Sequence, residues 1–231
     1  MQLLPSDNAM QTFAFASPFM YVILMLYTKF TGLIKPFNPL YHNYNMIMQS
    51  CLLLGLTTYE YYRIAELYDI PTHNLLEISH VGSIEHQKHD TSLILTIFLI
   101  SKVFEWIDTI ALIVNNKKTI PLHLWHHATI GVGFYTGYYT YSGFWIGFLN
   151  SFIHIIMYAY YANIGGVRKI ARYLTQLQII QLFGGVFMNY LSYINQPLER
   201  YKNYSLINGA ICLSYGVMFL DFYANKYKKK L

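Results

Sequence analysis

Apolar residues along this chain arrive in long runs rather than in alternation. Seven of the runs approach the ~20 residues an α-helix needs to cross the hydrocarbon core of a bilayer. They lie near 13–34, 43–62, 92–114, 120–139, 143–162, 173–194 and 204–224. This pattern predicts an all-α polytopic membrane protein, one integral membrane domain spanning 1–231 with a basic tail at 225–231. The first run carries Pro18 and Lys29, and a lysine close to a helix end can snorkel to the interface. Tyrosines gather where runs end (Tyr59, Tyr61, Tyr62, Tyr138, Tyr139, Tyr141, Tyr160, Tyr161), as amphipathic rings do at headgroup level.

The connections between runs choose an orientation. Seven spans put the termini on opposite sides, and an outside N-terminus gathers Lys29, Lys35, Lys117, Lys118, Arg168, Lys169, Arg172, Lys226, Lys228, Lys229 and Lys230 on the cytosolic face. Only Arg63, Lys88, Arg200 and Lys202 remain opposite, with Lys102 inside the membrane. The positive-inside rule therefore predicts an outside N-terminus, lumenal if the membrane is internal, and a cytosolic C-terminus. The polar stretch 63–91 becomes an exterior loop, and its His73, His80, His86 and His89, irregularly spaced among five acidic residues, are expected to be solvated.

Composition adds exclusions. Of 231 residues, 55% are hydrophobic and 12% charged, and the formal net charge of +5 is accounted for by topology, so no nucleic-acid partner is expected. Cys51 and Cys212 both fall within apolar runs, which argues against a disulfide framework or a thiolate metal site. The opening MQLLPSDNAMQTF lacks the basic start and apolar core of a cleavable signal peptide. The end KKKL, with Lys228 and Lys229, resembles the dilysine retrieval signal of endoplasmic reticulum membrane proteins, although a basic end is also an ordinary stop at a membrane surface.

Polar residues inside the runs carry the chemistry, because an ionisable side chain at mid-membrane costs about 2.5–3.5 kcal/mol on insertion scales. In the third run Lys102, Glu105, Asp108 and Thr109 recur at i, i+3, i+6 and i+7, one stripe of a helix. The fourth carries His123, His126 and His127 at i, i+3 and i+4. The fifth offers Asn150, His154 and Tyr158 four residues apart, and the sixth Thr175, Gln178 and Gln181 three apart. Given the orientation, most of these fall in the cytosolic half of the membrane, so four helices converge on one polar chamber open to the cytosol. A structural ion-pair network, glutamines bonding between helices and tyrosines forming a belt are the bland readings of the separate pieces.

Two chemistries suit the histidines. One is a metal site: HxxHH also occurs in membrane di-iron desaturases and hydroxylases, and three imidazoles with a carboxylate would hold a zinc. This chain, however, has four histidines at that depth and no second HxxHH or HxxxH box. The other is an organic site, in which an imidazole acts as nucleophile or base, carboxylates fix its tautomer and amides bind a developing oxyanion. From a different class, a seven-span transporter would use such a chamber without turnover.

The chain resembles the very-long-chain fatty acid elongase (ELO) family, the condensing enzymes of the endoplasmic reticulum. Four boxes carry the resemblance in order: KVFEWIDT (Lys102 to Thr109) for KxxExxDT, HLWHH (His123 to His127) for HxxHH, HIIMYAYY (His154 to Tyr161) for HxxMYxYY, and TQLQIIQ (Thr175 to Gln181) for TQxQxxQ. The resemblance implies condensation of an acyl-CoA with malonyl-CoA to a 3-ketoacyl-CoA, carbon dioxide and CoA, with these two substrates and no cofactor or metal. It implies spans two to seven forming a barrel around an acyl tunnel, with the first span outside.

It also implies roles. His126 would carry the acyl group, supported by His123 and His127, and His154 would act as base or stabilise the enolate. Asp108, with Glu105 behind it, would orient an imidazole. Asn150, Gln178 and Gln181 would donate to thioester or malonyl oxygens, and Lys102, Thr109, Tyr158 and Tyr161 join the substrate-binding set. Lys169 and Arg172 would steer CoA phosphates, unless topology alone explains them. The implied partners are membrane lipid, the other enzymes of the elongation cycle and a second copy in a homodimer.

Overall fold

A computed structural model describes residues 6–88 and 92–228. Among them are eight α-helices and no strand: α1 (Asp7–Thr31), α2 (Leu40–Leu67), α3 (Leu75–Gln87), α4 (Leu93–Val114), α5 (Pro121–Tyr138), α6 (Ser142–Tyr161), α7 (Ala171–Asn195) and α8 (Glu199–Tyr223). A 3-10 turn (Val167–Ile170) precedes α7, and a π-helical turn (Ala224–Lys228) extends α8. The helix ends follow local chemistry. Ser6, Asn74 and Ser92 cap α1, α3 and α4 by accepting a hydrogen bond from a backbone N–H of the first turn. Pro121 opens α5, where its missing N–H costs nothing. Gly32, at φ 62°, ends α1 in the left-handed region that favours glycine.

Four helices are long and apolar enough to cross a membrane: α1, α6, α7 and α8 with its extension. The chain is thus a multi-pass membrane protein. α4 has 22 residues, a comparable length, but Lys102, Glu105 and Asp108 lie in its middle turns. The apolar side chains of these helices, among them Phe19, Ile23, Phe30, Phe187, Ile194 and Val217, point outward and stay exposed, as a lipid-facing surface requires.

The helices α2, α4, α5, α8, α7 and α6 touch in a closed circuit, each packed on the next and α6 returning to α2. Outside the circuit α1 covers the seam between α4 and α5. Its first turn is pinned there: Asp7 accepts hydrogen bonds from Tyr135 (2.7 Å), Tyr139 (2.6 Å) and Arg200 (2.9 Å). A buried polar lattice braces one end of the circuit, where Asn208 donates to Ser142 (2.8 Å) and Thr140 to Asn189 (3.1 Å). Each of these groups finds a partner, which burial demands.

The stretch 63–91 departs from the sequence expectation of a solvated loop. α3 occupies much of it and packs against α2 and α6. His86 is buried, stacked on Tyr138 with ring centroids 4.0 Å apart, and Glu60 of α2 lies 3.5 Å from it. His80 bonds to the Tyr141 hydroxyl. Gly82 makes this docking close, since a Cβ there would stand 2.5 Å from the Phe144 ring. Two of the residues expected to be solvated, His80 and His86, are thus docked into the fold by α3. His89, like Lys229 of the basic tail, lies outside the described residues.

Candidate functional site

At the end of the circuit opposite α3, side chains from α2, α4, α5 and α6 meet. On α4, the Lys102 ammonium donates to Glu105 Oε1 (2.5 Å) and to Asn150 Oδ1 on α6 (2.9 Å), and lies 4.5 Å from the Phe134 ring centre. Both Lys102 and Glu105 are at most 3% exposed, so each ion depends on the other. The same Glu105 oxygen lies 3.2 Å from His154 Nδ1.

This network fixes protons. Because Asn150 Oδ1 accepts from Lys102, its amide nitrogen faces His154 Nε2 at 3.2 Å and donates there. A neutral imidazole accepting at Nε2 carries its proton on Nδ1 and donates it to Glu105. Lysine, amide and carboxylate together select one tautomer of His154.

Asp108 also holds an imidazole, and it is that of His42 on α2 (3.1 Å) rather than one of the HxxHH box. Its other oxygen accepts from the Tyr158 hydroxyl at 2.7 Å. His123 Nε2 pairs with the Thr109 hydroxyl (2.8 Å), which meets Tyr21 of α1 at 3.0 Å. Nothing around His42 in the sequence marked it, since it stands at the edge of an apolar run and belongs to no box.

His126 and His127 stay unbonded at their rings among the described residues. The His127 Nδ1 and Glu105 Oε2 atoms are buried without a partner. One ligand atom each from Glu105, His126 and His127 lies within 4.8 Å of the others, a set that could hold a metal ion.

These residues line a chamber of about 200 Å³ that takes in Glu105, Asp108, His123, His126, His127 and His154, with Tyr160, Tyr161, Thr175, Gln178 and Lys226 on its walls. A deeper cavity of about 50 Å³ shares His126, His154 and Gln178 with it and adds Asn150, Gln181 and Ile146. Beyond that, an apolar cavity of about 30 Å³ shares Gly133, Phe134 and Ile146 and ends at Glu60, His86 and Tyr138. Overlapping walls thus link the histidines to the α3 end of the circuit. His126 is the one HxxHH residue that lines both the chamber and the deeper cavity.

The other expected residues are placed less centrally. Lys169 and Arg172 are exposed and line none of these three cavities, and Arg172 donates to the Tyr223 hydroxyl at 2.8 Å. Lys226, on the π-helical turn, is the cation at the chamber wall instead. The sequence predicts only a basic tail there, because the turn that folds Lys226 back has no local signature. Lys228 ends that turn.

The sequence profile of the GNS1/SUR4 family matches residues 5–231. Among curated proteins, the chain is 31% identical over 143 residues to putative fatty acid elongase 3 of Caenorhabditis elegans, covering 58% of this chain and 45% of that protein. It is 34% identical over 144 residues to very long chain fatty acid elongase 4 of Homo sapiens, covering 57% and 45%. With fatty acid elongase 3 of Trypanosoma cruzi (strain CL Brener) it shares 34% identity over 142 residues, covering 56% and 47%. The chain thus spans about half the length of these relatives. No solved structure matches it significantly.

Proposed function

The chain belongs to the GNS1/SUR4 family, and from that membership we propose that it is a fatty acid elongase condensing a long-chain acyl-CoA with malonyl-CoA. In the first stage His126 attacks the acyl thioester: the acyl–sulfur bond breaks, an acyl–imidazole bond forms, and CoA leaves with a proton. In the second, malonyl-CoA loses carbon dioxide, and its α-carbon attacks the acyl group, freeing His126 and giving a 3-ketoacyl-CoA two carbons longer. His154, its Nδ1 proton held by Glu105 and its Nε2 unprotonated, is the base or enolate partner. Gln178 and Gln181 are donors for the developing oxyanion.

The observation that carries this reading is the position of His126 on the wall shared by the polar chamber and the deeper cavity. A nucleophile there has the thioester in the chamber and the acyl tail in the linked cavities beyond. We read the six-helix circuit as a barrel around an acyl tunnel, with α1 outside. The distribution of basic residues among the connections supports a chamber that opens to the cytosol and an N-terminus on the opposite side, and we read the membrane as that of the endoplasmic reticulum.

The test is a single-turnover one. Purified protein mixed with acyl-CoA alone should release CoA in a burst and leave an acyl group on a histidine. No burst and no adduct would remove the two-stage mechanism. His126→Ala and His154→Ala should each abolish malonyl-CoA incorporation in folded protein.

The Glu105, His126 and His127 cluster favours a second reading, a metal-dependent lipid oxidation. Elemental analysis separates the two: stoichiometric iron or zinc, with activity lost on chelation and no incorporation of malonyl carbon, would select it.

A further inference from the structure

Three side chains on the wall of the histidine chamber converge without bonding to one another. Glu105 of α4 and His126 and His127 of α5 each offer one ligand atom, and these atoms lie within 4.8 Å of one another. Two of the three residues hold orphaned atoms as well: Glu105 Oε2 and His127 Nδ1 are buried with no hydrogen-bond partner among the described residues, in residues 1% and 6% exposed. A buried carboxylate oxygen and a buried imidazole nitrogen left bare are costly. A ligand that satisfies both at once removes that cost.

The remaining contacts of Glu105 leave room for such a ligand. Oε1 takes the Lys102 ammonium and faces His154 Nδ1, so Oε2 keeps its lone pairs for a further partner. A carboxylate and two imidazoles attract a cation, and two nitrogens with one oxygen suit zinc rather than magnesium or calcium, which prefer oxygen throughout. Zinc holds nitrogen and oxygen at about 2.0–2.2 Å, so small rotations into the chamber close the set and leave a fourth position open.

We propose that Glu105, His126 and His127 bind Zn²⁺ reversibly and that the bound ion inhibits the enzyme. The inference rests on the condensing function proposed above. A neutral imidazole has one basic nitrogen, so a His126 that coordinates the ion has no lone pair with which to attack a thioester. The acyl group and the metal are therefore alternatives at His126: acylation blocks the ion, and the ion blocks acylation. A free divalent cation regulates the condensation in this way, a role opposite to that of a catalytic metal.

Purified full-length protein, first stripped with a chelator, is titrated with Zn²⁺ and, in parallel, with Co²⁺, whose visible absorption reports tetrahedral coordination independently of turnover. Zn²⁺ should abolish the CoA burst from acyl-CoA alone, excess chelator should restore it, and Co²⁺ should give a stoichiometric tetrahedral spectrum. Protein already acylated with acyl-CoA should give no such spectrum. His127→Phe removes both ring nitrogens while keeping the stack on Tyr21 and the Trp106 hydrogen bond to the backbone carbonyl of residue 127. It should weaken Co²⁺ binding by more than about tenfold, the least that even an outer-shell partner of a metal ligand is worth. The acylation arm uses the parent protein alone, so it decides even where the variant folds poorly. Absence of a tetrahedral spectrum from the parent protein would overturn the site, as would a spectrum that survives acylation or His127→Phe. Condensation that rises with Zn²⁺ would overturn the inhibition. Should the parent protein incorporate no malonyl carbon, yet show the spectrum and lose it in His127→Phe, the condensing function and the inhibition fall while the metal site stands.

Discussion

Nδ1 of His154 stands 3.2 Å from Oε1 of Glu105, the same oxygen that Lys102 reaches from its own helix at 2.5 Å. One carboxylate oxygen therefore balances a buried cation and fixes an imidazole tautomer. Stability and chemistry share it.

Glu105→Gln separates those two effects. The variant leaves the Lys102 ammonium buried without a counter-charge, at a cost of about 3–5 kcal/mol. Turnover should fall by about 10²-fold or more as His154 loses its carboxylate. Adding Lys102→Met should restore the unfolding temperature in detergent while leaving malonyl-CoA incorporation low. Recovery of both together would show that the pair is structural only.

The Thr109 hydroxyl bridges Tyr21 on α1 and His123 on α5. Thr109→Val keeps the shape and removes the bridge, leaving His123 free to turn. A rate loss corresponding to about 1 kcal/mol is expected, with little change in thermal stability. Tyr21→Phe, which removes only the outer bond, should have a smaller effect on acyl-CoA burst kinetics.

Gly147 lines the apolar cavity at the α3 end, and a Cβ there would meet Thr57 at 3.4 Å, an ordinary contact. Gly147→Ala should therefore fold, with a helix-propensity gain of up to ~1 kcal/mol. It takes space where the acyl terminus would lie. Mass spectrometry of products should show the longest one shortened by one elongation cycle, and an unchanged length would separate this cavity from the acyl path.

Asp7 joins α1 to α5 and α8 through Tyr135, Tyr139 and Arg200. Asp7→Ala strands these partners, and a loss of about 2–3 kcal/mol is expected from the charge-assisted bonds. Activity per folded molecule should be unaffected, since α1 touches the site only through Tyr21 near its middle. Thermal unfolding and activity at low temperature check the two halves of this expectation.

The helices were legible because their signal is local. Seven runs of apolar residues lie under seven of the eight helices, and the ends Gly32, Ser92 and Pro121 are marked by residues with conformational or capping preferences. The eighth was not legible in this way. α3 is too short at 13 residues to stand out as a membrane-length run, and it is held in place where His86 and Gly82 pack against Tyr138 and Phe144.

The site was legible as a set of residues and illegible as a set of pairs. Lys102, Glu105, Asn150 and His154 could be placed at one depth by counting along helices of 3.6 residues per turn. That Asp108 would take His42 as its imidazole depends on residues 66 positions apart. Spacing along the chain has no bearing on such a contact.

By itself the sequence determined an all-helical chain for the membrane, with its ionisable residues on a few inward stripes, because transfer costs and helical period act residue by residue. Only the tertiary structure decided which carboxylate meets which imidazole, where α3 docks, and how linked cavities run from the histidines toward α3. Those features arise from helices packing on one another, where every contact joins elements whose relative position no local preference specifies.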